Sequence, residues 1–394
     1  MAGELAYFIP QHGRAKISLR VPESHSLYIC PPACGRRIGL RSIKNGEAEH
    51  ISFLFLKEID VVSGRYFGMI TGAVAELLEI LDPAPKAFLI YVNCIDDFLG
   101  TDEAALLKKL RSAFPAQRFV VCHINPVASD DNIPPGAAMQ DRLYSLLDRT
   151  GKKENSVNLI GNFVLPDENG ELYKLLGHWG IEKVQHLPNI QTFEEFQSMA
   201  GARLNLVMME MGRYAAKNME KRLGIPWLDA PVSYSIKDVD QKYTQIAAAL
   251  SGEKNIWGSY RENALEKIEQ CKKEVKDTPL IVDSSAASRP FALAKALVEY
   301  GFNVGAVFIT HGKDFDKAER LWLEANHPDM KIIKAGKYDE KRWNIPEESI
   351  AIGYDIAFST GRNNFVDLQR DETLFGFHGI CTLMEMILEV YKSN

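Results

Sequence analysis

The chain has 394 residues and a formal net charge of −6, with 46% hydrophobic and 25% charged residues. At about 150 residues per domain this length implies two or three domains, and the composition is that of a globular protein. No basic run invites nucleic acid, no apolar stretch reaches the roughly 20 residues of a membrane span, and Met1-Ala2-Gly3-Glu4-Leu5 lacks the basic segment and apolar core of a secretory leader, so a cytoplasmic protein free of membrane and nucleic acid is expected.

Strands and helices alternate along the chain. In a first unit, 1–150, strands are expected at Ser26–Cys30, His50–Leu56, Ala87–Cys94 and Phe119–Ile124. Helices are expected between them: Gly68–Leu81 spaces Ile70, Val74, Leu77 and Leu81 at helical intervals, and Asp102–Phe114 begins acidic and ends basic, as a helix dipole favours. Gly136–Arg149 is a further amphipathic stretch, and the polar run Thr150–Asn155 closes the unit. A second unit, 151–277, has strands at Ser156–Phe163, Ile181–Leu187, Arg203–Met209 and Gly224–Leu228. Its helices are expected at Glu171–Trp179, Thr192–Ala200, Arg213–Leu223 and Lys237–Leu250, with Tyr260–Val275 as a charged connector. A third unit, 278–394, opens on Pro279-Leu280-Ile281-Val282-Asp283 and continues with helix Arg289–Tyr300, strand Asn303–Ile309, helix Lys313–Ala325, strands Met330–Ile333 and Ser349–Ile356, and a last helix, His378–Tyr391. The fold class expected is α/β, with three Rossmann-like domains, each a mainly parallel sheet flanked by helices.

Six scattered cysteines do not make a disulfide framework in a chain this long, and a reduced thiol is free to bind metal. Cys30 and Cys94 each end an expected strand, which is where open α/β sheets keep their ligand sites. Cys34 follows Cys30 in Cys30-Pro31-Pro32-Ala33-Cys34-Gly35, read as a rigid loop because two prolines remove backbone donors. Cys122 ends another strand and fits either core or site, with His123 beside it; Cys271 and Cys381 lie in helices and read as core. No Gly-x-x-x-x-Gly-Lys-Ser/Thr phosphate loop, Gly-x-Gly-x-x-Gly fingerprint or Gly-x-Ser-x-Gly elbow is present. Asp283–Ser288 leads from a strand towards a helix and reads as an N-cap or, alternatively, an anion site. His311-Gly312-Lys313-Asp314 reads as a turn, and Asp96-Asp97 as a solvated loop.

The cysteine segments resemble those of the nitrogenase component 1 family, which includes the nitrogenase α and β subunits, their cofactor-assembly scaffolds and the dark-operative protochlorophyllide reductases. His25 precedes Cys30 by five residues, as in the family's His-Gly-Pro-x-Gly-Cys; Cys94, Gly100 and Asp102 repeat its cysteine with glycine at +6 and an acid at +8. Asp60-Val61-Val62-Ser63-Gly64 stands at the place of a family Asp-Ile-Val-x-Gly-Gly segment. Asn218–Trp227 is similar to the family's helix-to-strand junction Met-Glu-x-x-x-Gly-Ile-Pro-Trp/Tyr, and Gly376-Phe377-His378-Gly379 to its Gly-x-x-Gly segment before the final helix.

The resemblance implies an iron–sulfur cluster shared between subunits and held here by Cys30, Cys94 and Cys34. It also implies a homologous partner subunit in a dimer or α2β2 assembly, and an ATP-dependent iron-protein reductase. The function it implies is that of a nitrogenase-like reductase subunit relaying electrons to a small molecule bound near Met208, Met209 and Phe375. The alternatives are a metallocluster-assembly scaffold or a cluster-less structural partner. The family's upstream cluster cysteine has no counterpart here, where Glu4 is the alternative oxygen ligand. Met208 and Phe375 fall where the nitrogenase α subunit has the cysteine and histidine of its iron–molybdenum cofactor, so that cofactor, and dinitrogen reduction, are not expected.

Overall fold

The computed structural model describes residues 19–63, 65–94, 102–123, 133–310, 315–334 and 345–393. Three sheets form, ordered β2-β1-β3-β4, β6-β5-β7-β8 and β11-β10-β9-β12-β13. The first comprises β1 (Ser24–Cys30), β2 (Ile51–Phe55), β3 (Ala87–Val92) and β4 (Arg118–His123). The second comprises β5 (Ser156–Ile160), β6 (Lys183–His186), β7 (Leu204–Val207) and β8 (Trp227–Asp229). The third comprises β9 (Leu280–Asp283), β10 (Val304–Ile309), β11 (Lys331–Lys334), β12 (Ile350–Ile352) and β13 (Phe365–Val366). Every ladder among them is parallel. The inner strands show why: β3, β5 and β9 are buried at every position, so neither face can meet water and both must be covered by helices.

The covering helices are α1 (Pro32–Asn45), α2 (Glu58–Val62), α3 (Tyr66–Ile80), α4 (Glu103–Ala113), α5 (Pro135–Tyr144), α6 (Glu171–His178), α7 (Phe193–Ser198) and α8 (Arg213–Leu223). They continue with α9 (Ile236–Leu250), α10 (Gly258–Val275), α11 (Pro290–Glu299), α12 (Lys317–Asn326), α13 (Tyr354–Thr360) and α14 (Gly376–Ser393). The fold class read from the sequence is thus the one observed. By compactness the chain divides into two units, Ser18–Gly161 with Lys183–Asp229, and Asn162–Glu182 with Ala230–Asn394. The first holds two sheets, and a single core cluster joins them, with β3 and β4 residues packed alongside α5, α7 and α8.

Local details follow from the residues. The Cys30–Gly35 segment is not the expected rigid loop. Helix α1 starts at Pro32, because proline in a first turn forgoes only a donor that no helical acceptor would use. Asp102 accepts from Ala105 N at 2.9 Å and caps α4. Gly224, at φ +70, ends α8 where a side chain would be strained, and the Trp227 indole reaches back to Glu220. The expected strand Ser349–Ile356 stops at Ile352, since Gly353 at φ +119 turns the chain into α13.

Buried acids organise the second unit. Glu171 accepts from the backbone N–H groups of Phe377 (2.6 Å) and His378 (3.1 Å) at the start of α14, and from the Tyr243 hydroxyl (2.7 Å). Asp316 accepts from Phe291 N and Ala292 N at the start of α11. Asp283, fully buried, accepts from Ser285 N (2.8 Å) and Ile356 N (2.6 Å), and burial pushes its carboxyl up to about 7. Each acid meets orphan donors at a helix N-terminus, where negative charge is also favoured by the helix dipole.

Glu171→Ala should therefore lower the unfolding free energy by about 3 kcal/mol, and Glu171→Gln by less, in urea titrations, because truncation strands three donors, two of them buried. Asp283 binds its proton more tightly folded than unfolded. Its contribution is full below the ordinary value of 3.8 and is lost as pH rises to about 7. The stability of wild type minus that of Asp283→Asn should thus fall by on the order of 2 kcal/mol between pH 5 and 7.5.

Candidate metal centre

In a parallel sheet the crevice lies at the carboxyl edge, between the neighbouring strands whose connections leave in opposite directions. The strand orders place such points at β1/β3, β5/β7 and β9/β12. Two are filled from within. At β5/β7, a Cβ on Gly161 (φ +100) would lie 2.6 Å from Met209 O and 3.2 Å from Gly212 Cα, so backbone closes on backbone, and the Gln140 amide donates to Gly161 O at 3.2 Å. At β9/β12, the Asp283 carboxylate and the Ser285 hydroxyl, which accepts from Tyr354 N at 2.9 Å, take the donors at the start of α13. The Asp283–Ser288 segment therefore caps α13.

The β1/β3 point carries the thiols. The two strands pair in register with Ile29 opposite Val92, so Cys30 ends one strand and Cys94 lies just past the end of the other. Cys30 is buried, Cys94 is exposed, and Cys34 is exposed on the first turn of α1. Burial, with a smaller contribution from Cys34, pushes the Cys30 thiol up to about 11, so a bare thiolate is unstable there and a neighbouring cation would be needed to hold one. Among the described residues no group of three or more His, Cys, Asp or Glu is placed to hold a metal ion. Cys30, Cys34 and Cys94 are soft donors of the kind that iron–sulfur species take. Glu4, Gly64, Asp96, Asp97, Gly100 and the turn 311–314 lie outside the described residues.

The other sequence candidates have structural partners. His25 shares its face of β1 with Leu27 and Ile29, opposite to Tyr28 and Cys30. Its Nε2 lies 2.8 Å from Ser52 Oγ, its ring meets Phe88 edge to face, and burial lowers it to about 4. It stays neutral on the far side of the sheet from the thiol. Cys122 sits in the core opposite Tyr91, with its thiol pushed up to about 12 by burial. His123 pairs with Glu103 at 3.3 Å, which Arg142 also holds at 2.7 Å. Cys271 and Cys381 are buried in the packed helices α10 and α14, as expected.

The second unit contains a cavity of about 180 Å³, lined by Ser233, Asp238, Lys242, Tyr243, Arg289 and Phe375 among others. Among the described residues no cysteine or histidine lines it. No motif pointed to it, because its walls come from three segments remote in sequence. Met208, expected beside Phe375 at a substrate, is a buried core residue of the first unit.

A family model described as nitrogenase component 1 type oxidoreductase matches residues 16–392. The chain is similar to the nitrogenase iron-molybdenum cofactor biosynthesis protein NifE of Rhizobium meliloti (strain 1021), 22% identical over 354 residues, 84% of this chain and 72% of that protein. It is 26% identical to the NifE of Clostridium pasteurianum over 204 residues, 51% of this chain and 43% of that protein. The nitrogenase molybdenum-iron protein alpha chain of the same organism is 25% identical over 185 residues, 46% of this chain and 34% of that one. In fold the chain is similar to the solved structure "Nitrogenase Cp1 at pH 6.5", with a TM-score of 0.69, 16% identity, and coverage of 98% of this chain and 95% of that one. No helix among the described residues is long and apolar enough to cross a membrane.

In the native, metal-free protein at pH 8, a thiol alkylating reagent followed by peptide mass spectrometry should label Cys34 and Cys94 first. Cys30 should react at least about tenfold more slowly, and all six thiols should react once the chain is unfolded.

Proposed function

The chain belongs to the nitrogenase component 1 type oxidoreductase family, and from that premise we propose that it is a scaffold subunit that holds a metallocluster during its assembly for another enzyme. The observation that carries this reading is the pair of thiols at the carboxyl ends of the paired strands β1 and β3, Cys30 and Cys94, where the described residues include no group of three or more metal-ligand side chains. A carrier must release its cargo, and ligation divided between chains lets the site open when the chains separate. Relatives named as cofactor biosynthesis proteins support assembly over the electron-relaying reductase that the sequence first implied. The residues at the places of the α subunit's cofactor ligands agree with this, since Met208 lies in the core and Phe375 lines a cavity without soft donors.

The cargo in this reading is an iron–sulfur species, which supplies the positive charge that makes a buried thiolate tolerable. Cys30 must lose its proton on loading, from a thiol that burial holds near 11. Loading therefore releases protons and is favoured by rising pH. Cys34, exposed on the first turn of α1, faces the same edge from the solvent side and is the third donor. A homologous chain completes the set.

The test is anaerobic purification followed by iron and sulfide analysis. The expected result is iron and sulfide in the wild type, at least about half of it lost in Cys30→Ala and in Cys94→Ala, and transfer of the species to an acceptor lacking its cluster. Loaded protein that takes electrons from an ATP-dependent iron protein and reduces a substrate, without transfer, would establish the relay function instead. Metal-free protein, indifferent to both substitutions, would make the chain a structural subunit.

A further inference from the structure

Cys30 and Cys34 stand four residues apart where β1 passes into α1, and the connection between them is stiff. Pro31 caps α1 in an extended conformation (φ −60, ψ 153), Pro32 opens the helix, and the proline ring fixes φ at both places. The chain folds back at once: Cys34 N and Gly35 N both donate to Pro31 O, at 3.0 and 3.2 Å. This turn returns Cys34 towards the end of β1, close enough for a charge on it to raise the Cys30 thiol. No side chain caps α1, so no capping bond resists a small rotation of its first turn. The two thiols differ in access. Cys34 is exposed and Cys30 is buried, so a reagent from solution meets Cys34 first and Cys30 stands behind it. The exposed Cys94 has no such link to Cys30, since it follows a separate strand that the β1/β3 ladder holds in fixed register.

We infer that Cys34 is a site of thiol–disulfide exchange with low-molecular-weight disulfides of the glutathione class, and that Cys30 is the resolving thiol that closes a Cys30–Cys34 disulfide. In the first step Cys34, as its thiolate, attacks one sulfur of the small disulfide. A new S–S bond forms, the reagent's own S–S bond breaks, and the departing small thiolate takes up the proton that Cys34 gave. In the second step Cys30, as its thiolate, attacks the Cys34 sulfur and displaces the remaining small thiolate, which takes up the Cys30 proton. The pair loses two electrons, the small disulfide gains them, and two small thiols are released. Burial of Cys30 makes the second step the slower one, so the mixed disulfide on Cys34 builds up first. A disulfide reached from solvent through Cys34 is also open to reductants, as suits a reversible state in a reducing compartment. One consequence rests on the proposed cluster site: the closed pair offers no thiolate to a metal, so an empty chain that has closed cannot load until it is reduced.

The experiment treats the full-length, reduced, metal-free protein with glutathione disulfide under anaerobic conditions, stops samples with a thiol alkylating reagent and maps the cysteines by peptide mass spectrometry. Uptake of ferrous iron with sulfide is then measured before and after dithiothreitol. The expected result is a mixed disulfide on Cys34, then a Cys30–Cys34 disulfide, with no Cys30–Cys94 link. Cys34→Ser should leave Cys30 reduced, and Cys30→Ser should stop at the mixed disulfide on Cys34. Circular dichroism checks the fold of the buried Cys30→Ser variant, and the wild type with Cys34→Ser decides the question without it. Iron uptake should be at least about tenfold lower in the closed form and should recover on reduction. A Cys30–Cys94 disulfide, a mixed disulfide on Cys34 that persists beside a reduced Cys30, or a Cys34 that stays free would overturn the inference, and equal iron uptake by closed and reduced chains would overturn the block on loading. Iron separates this failure from that of the proposed function: uptake by the reduced chain without any Cys30–Cys34 bond rejects the exchange site alone, whereas a Cys30–Cys34 bond in a chain that takes up no iron in either state rejects the cluster.

Discussion

Parallel pairing is the constraint on which the rest of this structure depends. A parallel strand cannot return by a tight turn, so each pair requires a crossover, and the crossovers place helices on both faces of every sheet. The same geometry sends every strand's carboxyl end to one edge. Residues that end strands then become neighbours even when far apart in sequence. Cys30 and Cys94 come to one edge in this way, at the ends of the paired strands β1 and β3.

Three crevices of the same kind arise from that constraint, and burial energetics separates them. At two, the chain's own groups take the available space and donors: glycine backbone at Gly161 and Gly212, and the Asp283 carboxylate with the Ser285 hydroxyl. The Asp283 carboxyl is buried with partners, and its backbone hydrogen bonds offset part of a desolvation that still raises it to about 7. The thiol at the remaining crevice has no such compensation. Burial drives Cys30 towards its neutral form, and only a cation can reverse that. A buried acid with backbone partners thus reads as architecture, whereas the buried thiol at the sheet edge is the group the proposed function uses.

Much of the architecture was legible because long apolar runs and helical spacing are local signals. The strands around Tyr28, Tyr91 and Val121 and the helices over Ile70 and Leu110 stand where their patterns place them. One reading failed where a local rule met a positional one. Two prolines looked like a loop, but a helix tolerates proline in its first turn, and Cys34 consequently rides on α1. His25 stands five residues before Cys30, yet an odd separation in a strand puts the two on opposite faces. Asp102, at a position that the family resemblance also marks, caps α4, whose start the sequence placed there.

The sequence by itself determined the alternating elements, the fold class, the family resemblance and the candidate thiols, because each of these is written in residues close together along the chain. Only the tertiary structure decided which candidates share an edge, which strand-end loops are already filled, and which thiols are exposed. Strand order and burial are sums over distant segments. A thiol at the end of a strand has no environment until its neighbouring strand, its covering helix and their exposure are all in place.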